Sequence, residues 1–127
     1  MNVMVVDDEQ DIKLLFQQKF RKEIKSGKLA LHFEFSGESA LKNLEEKGAR
    51  FFKLVLSDIN MPGMNGLELL QHIKQRFQNL SVFMITAYGD ENNYRKALEY
   101  GCQDYFTKPI EFESLKKKLL QDPPENR

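Results

Sequence analysis

The sequence predicts an α/β domain: a doubly wound parallel sheet of five strands with helices on both faces. Three observations predict it. Short, unbroken apolar runs recur along the chain, the pattern of strands covered on both sides. Stretches with apolar residues at helical spacing separate those runs, so strands and helices alternate. Turn residues (Gly, Pro, Asn, Ser and Asp) punctuate nearly every junction.

Val3 to Val6 is the first strand, ending in Asp7-Asp8-Glu9. Ile12, Leu15, Phe16, Phe20 and Ile24 then form one helical stripe, which Ser26-Gly27 stops. Leu29 to Phe35 alternates in part and is more polar, as befits a strand near a sheet edge. Ser36-Gly37-Glu38-Ser39 opens a second helix carrying Ala40, Leu41 and Leu44, which ends near Gly48. Leu54 to Leu56 leads into Asp58 at the end of a central strand, and Met61-Pro62-Gly63 follows at once. Pro62-Gly63 suits the middle of a type II turn, while Asn65-Gly66 offers a second reversal or a helix cap. Leu67, Leu70, Ile73 and Phe77 are the inner side of the third helix. Ser81 to Ala87 is the fourth strand. A shorter helix follows Gly89-Asp90, with Tyr94, Ala97 and Leu98 inward and Gly101 at its end. Asp104 to Thr107 is a brief fifth strand. Lys108-Pro109 breaks it and leads into a last helix with Phe112, Leu115 and Leu119 inward. Right-handed crossovers then give a flavodoxin-like (βα)5 arrangement with strand order 2-1-3-4-5. Residues 1–122 form one domain, and residues 123–127 are a polar tail or the start of a linker.

Composition narrows the functional classes. The 127 residues are 41% hydrophobic and 30% charged, which is a globular balance. Lys+Arg and Asp+Glu are equal at 19 each, so no net field draws the chain to nucleic acid or to an anionic membrane. Cys102 has no second cysteine to pair with, which excludes an internal disulfide and disfavours zinc. The start has neither the basic segment nor the long apolar region of a secretory signal, and no apolar run reaches membrane length. A cytoplasmic location is the expectation.

The chemistry collects at the carboxyl ends of the strands. Strand one ends in Asp7 and Asp8, strand three in Asp58 and strand four in Thr86, and Lys108 follows strand five. Parallel strands bring those ends into one crevice. Three carboxylates there raise one another's pKa unless a cation neutralises them. Mg²⁺, which takes one or two carboxylates plus waters and phosphate oxygens, fits that need. Lys108 adds a point charge suited to a phosphoryl oxygen. Taken singly, each residue has a plainer reading. Asp7-Asp8 could cap the first helix, Asp58 could merely close a strand, and Thr86 could be an ordinary strand residue. Lys108 could be a solvated charge and Tyr105 a half-buried ring. It is the convergence that carries meaning.

At this point the chain resembles a response regulator receiver domain of two-component signalling. The matching pieces are Val5-Val6-Asp7-Asp8-Glu9, Leu56 to Gly66 around Asp58, Ile85-Thr86-Ala87 and Asp104 to Pro109. The resemblance implies that Asp58 is the phosphoacceptor for a phosphohistidine of a sensor histidine kinase or phosphotransfer protein. It further implies that Asp8, Asp58 and the Asn60 backbone carbonyl bind Mg²⁺ directly, with Asp7 acting through water. Lys108 and Thr86 would bind the phosphoryl group, Thr86 and Tyr105 would be the switch, and Lys108-Pro109 would be a cis peptide. The output would leave through the face of the fourth helix, fifth strand and last helix, to an output domain, a downstream protein or a second copy in a homodimer. Neither direct nucleic-acid binding by this domain nor membrane association is expected. The chain would be a stand-alone receiver or the receiver of a longer protein, and a signalling module, not an enzyme. Asn60 and Tyr88 stand where the family tunes phosphoryl lifetime. Asn65 replaces a frequent Asp, and Cys102 a small Ala. The link from Lys22 to His32 is several residues longer than usual and is a possible partner surface.

Three other readings are weaker. A haloacid-dehalogenase-like phosphatase wants its nucleophile after strand one with a second acid two residues on; position nine is Glu, and no cap domain is expected. A flavodoxin-like nucleotide module needs a Gly-rich loop where Asp-Asp-Glu occurs. A phosphorylation-independent pseudo-receiver has no need of the full set of acids with Thr86 and Lys108. His32 and His72 read as structural or surface residues.

Overall fold

A computed structural model describes residues 1–87 and 89–120. Tyr88 and residues 121–127, which include the end of the predicted domain and the polar tail, lie outside the described residues. In chain order the elements are β1 (Asn2–Val6), α1 (Asp11–Lys19), α2 (Arg21–Lys25), β2 (Ala30–Glu34), α3 (Gly37–Lys47), β3 (Leu54–Asp58), α4 (Gly66–Arg76), β4 (Ser81–Thr86), α5 (Glu91–Glu99), β5 (Asp104–Thr107) and α6 (Phe112–Leu120). A short 3-10 turn, Ala49–Phe51, precedes β3. All four strand pairings are parallel, in the order β2-β1-β3-β4-β5. This is the expected doubly wound order.

The apolar runs are unbroken because the sheet is covered on both faces. Val3, Val5, Leu54, Leu56, Phe83 and Ile85 join one core with Phe16, Phe20, Leu115 and Leu119 of the α1 and α6 side. The alternate residues Met4, Val6, Val55, Val82 and Met84 join the other core, with residues of α3, α4 and α5. Successive side chains of a strand point to opposite faces, so the inner strands β1, β3 and β4 feed both cores.

The predicted first helix is interrupted at Phe20, whose φ of −105° and ψ of 21° depart from helical values. The hydrogen-bond ladder nevertheless runs on, from Phe20 N–H to Phe16 O and from Ile24 N–H to Phe20 O, each at 2.9 Å. Phe20 itself is fully buried, stacked on Phe16 with centroids 5.8 Å apart. Packing of these two rings under Phe112 wins over ideal helix geometry there. Three expected inward residues face solvent instead: Leu15 on α1, and Tyr94 and Leu98 on α5. Of the three residues expected on the inner side of α5, only Ala97 is buried. A nine-residue helix beside an edge strand has little sheet to cover. No helix among the described residues is long and apolar enough to cross a membrane.

Candidate functional site

The sheet order changes direction between β1 and β3, and that is where a crevice opens at the carboxyl ends. β1 ends at Val6, so Asp7 and Asp8 project beyond it; Asp58 is the last residue of β3 and Thr86 the last of β4. Asp7, Asp8 and Asp58 each offer a carboxylate oxygen within 4.8 Å of the others. Asp7 and Asp58 are buried, with Asp8 more open to water. The Asp7 carboxylate accepts a hydrogen bond from the Glu9 backbone N–H at 2.9 Å, which fixes the turn after β1.

Lys108 reaches into this cluster from the loop after β5. Its Nζ lies 3.3 Å from Asp58 Oδ1 and 3.5 Å from oxygens of both Asp7 and Glu9. The Lys108–Pro109 peptide is cis. Burial would favour the neutral amine, but the charges of Asp58 and Asp7 hold the Lys108 ammonium above the ordinary lysine range. Burial raises the Asp7 carboxyl despite its hydrogen bond from Glu9. Burial and the neighbouring charge of Asp7 push Asp58 up to about 6, against the pull of Lys108. One lysine therefore undercompensates three acids. That deficit, together with a hard-oxygen donor set, fits a divalent cation such as Mg²⁺.

The loop after Asp58 is tied at several points. Gly66 N–H donates to Ile59 O at 2.8 Å, and a Cβ at Gly66 would lie 2.1 Å from the Asp58 carbonyl oxygen. Only glycine lets α4 start this close to the strand end. Asn65 caps α4 in a reciprocal capping box with Glu68, both hydrogen bonds at 2.9 Å. Gly63 has φ of 72°, the positive value that a type II turn needs at its third residue. Asn60 is exposed on this loop, immediately after the buried Ile59.

Thr86 is fully buried, and its hydroxyl has no hydrogen-bond partner among the described residues. It lies near enough to Tyr105 to oppose the rise in that phenol's pKa, which burial drives and Asp90 augments, without reaching a full hydrogen bond. Tyr105 is half-buried and meets Tyr94 edge-on, with centroids 4.5 Å apart. The two rings, with Asp90, Leu98, Gln103 and Thr107, line an open groove of about 500 Å³. Two residues to which the sequence pattern gives no part in the chemistry also reach the site. Glu9 shares Lys108, and Glu38 reaches the Asp58 loop from α3.

A family model described as the response regulator receiver domain matches residues 3–120. The chain belongs to that family. Receiver domains are signalling modules whose own chemistry is limited to taking up and losing a phosphoryl group. Among curated relatives, sporulation initiation phosphotransferase F of Bacillus subtilis is 30% identical over 121 residues, covering 93% of this chain and 92% of that protein. Response regulator protein FleR of Pseudomonas aeruginosa is 42% identical over 80 residues, 63% of this chain but 16% of FleR. The receiver unit thus makes up nearly all of one relative and a small share of another. The crystal structure of the signal receiver domain of an HD domain-containing protein from Pseudomonas fluorescens is similar at a TM-score of 0.82. It is 26% identical, and the match covers 93% of this chain and 90% of that one.

Proposed function

We propose that this receiver domain accepts a phosphoryl group on Asp58 from the phosphohistidine of a sensor histidine kinase or phosphotransfer protein. The observation that carries the reading is a buried Asp58 carboxylate with Lys108 Nζ at 3.3 Å, inside a cluster of three acids. Asp8, Asp58 and the Asn60 backbone carbonyl would hold Mg²⁺, with Asp7 acting through a water. Bound Mg²⁺ supplies the counter-charge that lets Asp58 stay ionised and offsets charge on the phosphoryl oxygens.

The protein's own part is mostly positioning. An ionised Asp58 oxygen attacks phosphorus, and the phosphorus–nitrogen bond of the donor breaks. The electron pair of that bond stays on the imidazole nitrogen. Lys108, already charged, moves from carboxylate pairing to a phosphoryl oxygen. The buried Thr86 hydroxyl, with its hydrogen unclaimed, turns to donate to a second phosphoryl oxygen. Tyr105 then repacks against the space beside Thr86 and alters the groove it shares with Tyr94 and Leu98. The face of α5, β5 and α6 is thereby a two-state surface read by an output domain, a downstream protein or a second copy.

The test is labelling by acetyl phosphate. Wild type takes up phosphate only with Mg²⁺ present, and Asp58→Asn takes up none. Undiminished labelling of Asp58→Asn sinks the assignment.

A further inference from the structure

Asn60, the residue whose carbonyl is proposed to meet the metal, sits on a loop held at two ends by different means. Its base is closed by the Gly66 N–H to Ile59 O hydrogen bond at 2.8 Å, which joins the first residue of α4 to the residue just after β3. Its far side is held from another element. Glu38, in the first turn of α3, accepts a hydrogen bond from the Met64 N–H at 3.0 Å. The same carboxylate lies over Gly63, where a Cβ would meet Glu38 Oε2 at 2.9 Å. The neighbouring Gly37 presses its bare Cα against Met64, whose side chain would lie 3.0–3.1 Å from a Cβ there. Both loop glycine and helix glycine are therefore small where α3 and the loop approach. α3 is itself fixed, its N-terminus capped by Ser36 Oγ accepting from Ser39 N–H at 3.0 Å.

We infer that Glu38 is a positioning residue for the metal-binding loop: its carboxylate anchors Met64 to α3 and so fixes where the Asn60 carbonyl stands. The inference rests on the metal site proposed above. Met64 offers a backbone donor, so a neutral amide oxygen can replace the carboxylate as acceptor. Removing the acceptor frees the Met64 side of the loop, which then rests on its base and on the burial of Met61. The free loop then samples positions in which the Asn60 carbonyl is off target, and cation binding bears the ordering cost. An exposed hydrogen bond of this kind is worth a factor of about three to ten.

The experiment compares wild type, Glu38→Ala and Glu38→Gln, each with Mg²⁺ alone. Mg²⁺ binding is followed by calorimetry and the Met64 amide by hydrogen exchange. Glu38→Ala is expected to bind Mg²⁺ about three- to tenfold more weakly, with faster Met64 exchange. Glu38→Gln, which keeps the acceptor and drops the charge, is expected to restore both. Equal Mg²⁺ affinity or equal Met64 protection in wild type and Glu38→Ala overturns the inference. A deficit that persists in Glu38→Gln also overturns it, because the effect would then be one of charge. Absence of Mg²⁺ binding in wild type overturns the metal site itself. Met64 exchange, read without metal, still reports separately on the anchor.

Discussion

Replacing Asp58 by Asn should make the metal-free protein more stable at neutral pH, and the structure gives the size. Asp58 is 4% exposed, and its carboxyl is pushed from 3.8 to about 6 by burial and by Asp7, net of the help from Lys108. A folded-state pKa above the unfolded one means that the unfolded chain ionises first as pH rises. Stability attributable to this group is therefore fully present below pH 3.8 and is lost as pH climbs through about 6. The gap of roughly two pH units corresponds to about 3 kcal/mol lost at pH 7. Asn carries no charge and escapes that loss. Urea unfolding at pH 7.5 without divalent ions should show Asp58→Asn more stable by about 2–3 kcal/mol, a midpoint shift of roughly 1–2 M. At pH 4 the difference should nearly vanish. A variant no more stable than wild type at pH 7.5, or a gain independent of pH, would refute the reasoning.

Further outcomes follow from the same geometry. Lys108→Met removes the cation that lowers Asp58, so carbon-13 titration of that carboxyl should give a pKa above the wild-type value of about 6; a lower value contradicts the pairing. Gly66→Ala drives a Cβ into the Asp58 carbonyl and should destabilise the fold by more than about 3 kcal/mol in urea unfolding. A change within about 0.5 kcal/mol would mean that the loop yields freely. Thr86→Ala should still take up phosphate while the Tyr105 ring resonances cease to respond. A wild-type response at Tyr105 in that variant removes Thr86 from the switch.

Much of the fold was legible because the inner strands carry apolar residues on both faces, as Val3 to Val6 does for the two cores. The site was legible for a related reason: residues at the ends of parallel strands meet whatever their separation along the chain. What escaped was set by packing between elements. Glu38 meets Met64 across 26 residues and Lys108 meets Glu9 across 99, and neither contact follows from strand ends or helical period. The outward Tyr94 and Leu98 were misread because their spacing from Ala97 is that of a buried stripe. On a short helix at the sheet margin only Ala97 finds cover, and the outward Tyr94 instead meets Tyr105. The break at Phe20 was hidden too, since the stripe through Phe16, Phe20 and Ile24 continues across it.

The most direct test of the account is to find the atom that carries the phosphate. Wild-type protein treated with acetyl phosphate and Mg²⁺ can be trapped by borohydride reduction, digested and mapped by tandem mass spectrometry. The account predicts homoserine at position 58 as the only Mg²⁺-dependent change. Modification at Asp7 or Asp8, or none at position 58 despite phosphate uptake, would contradict it.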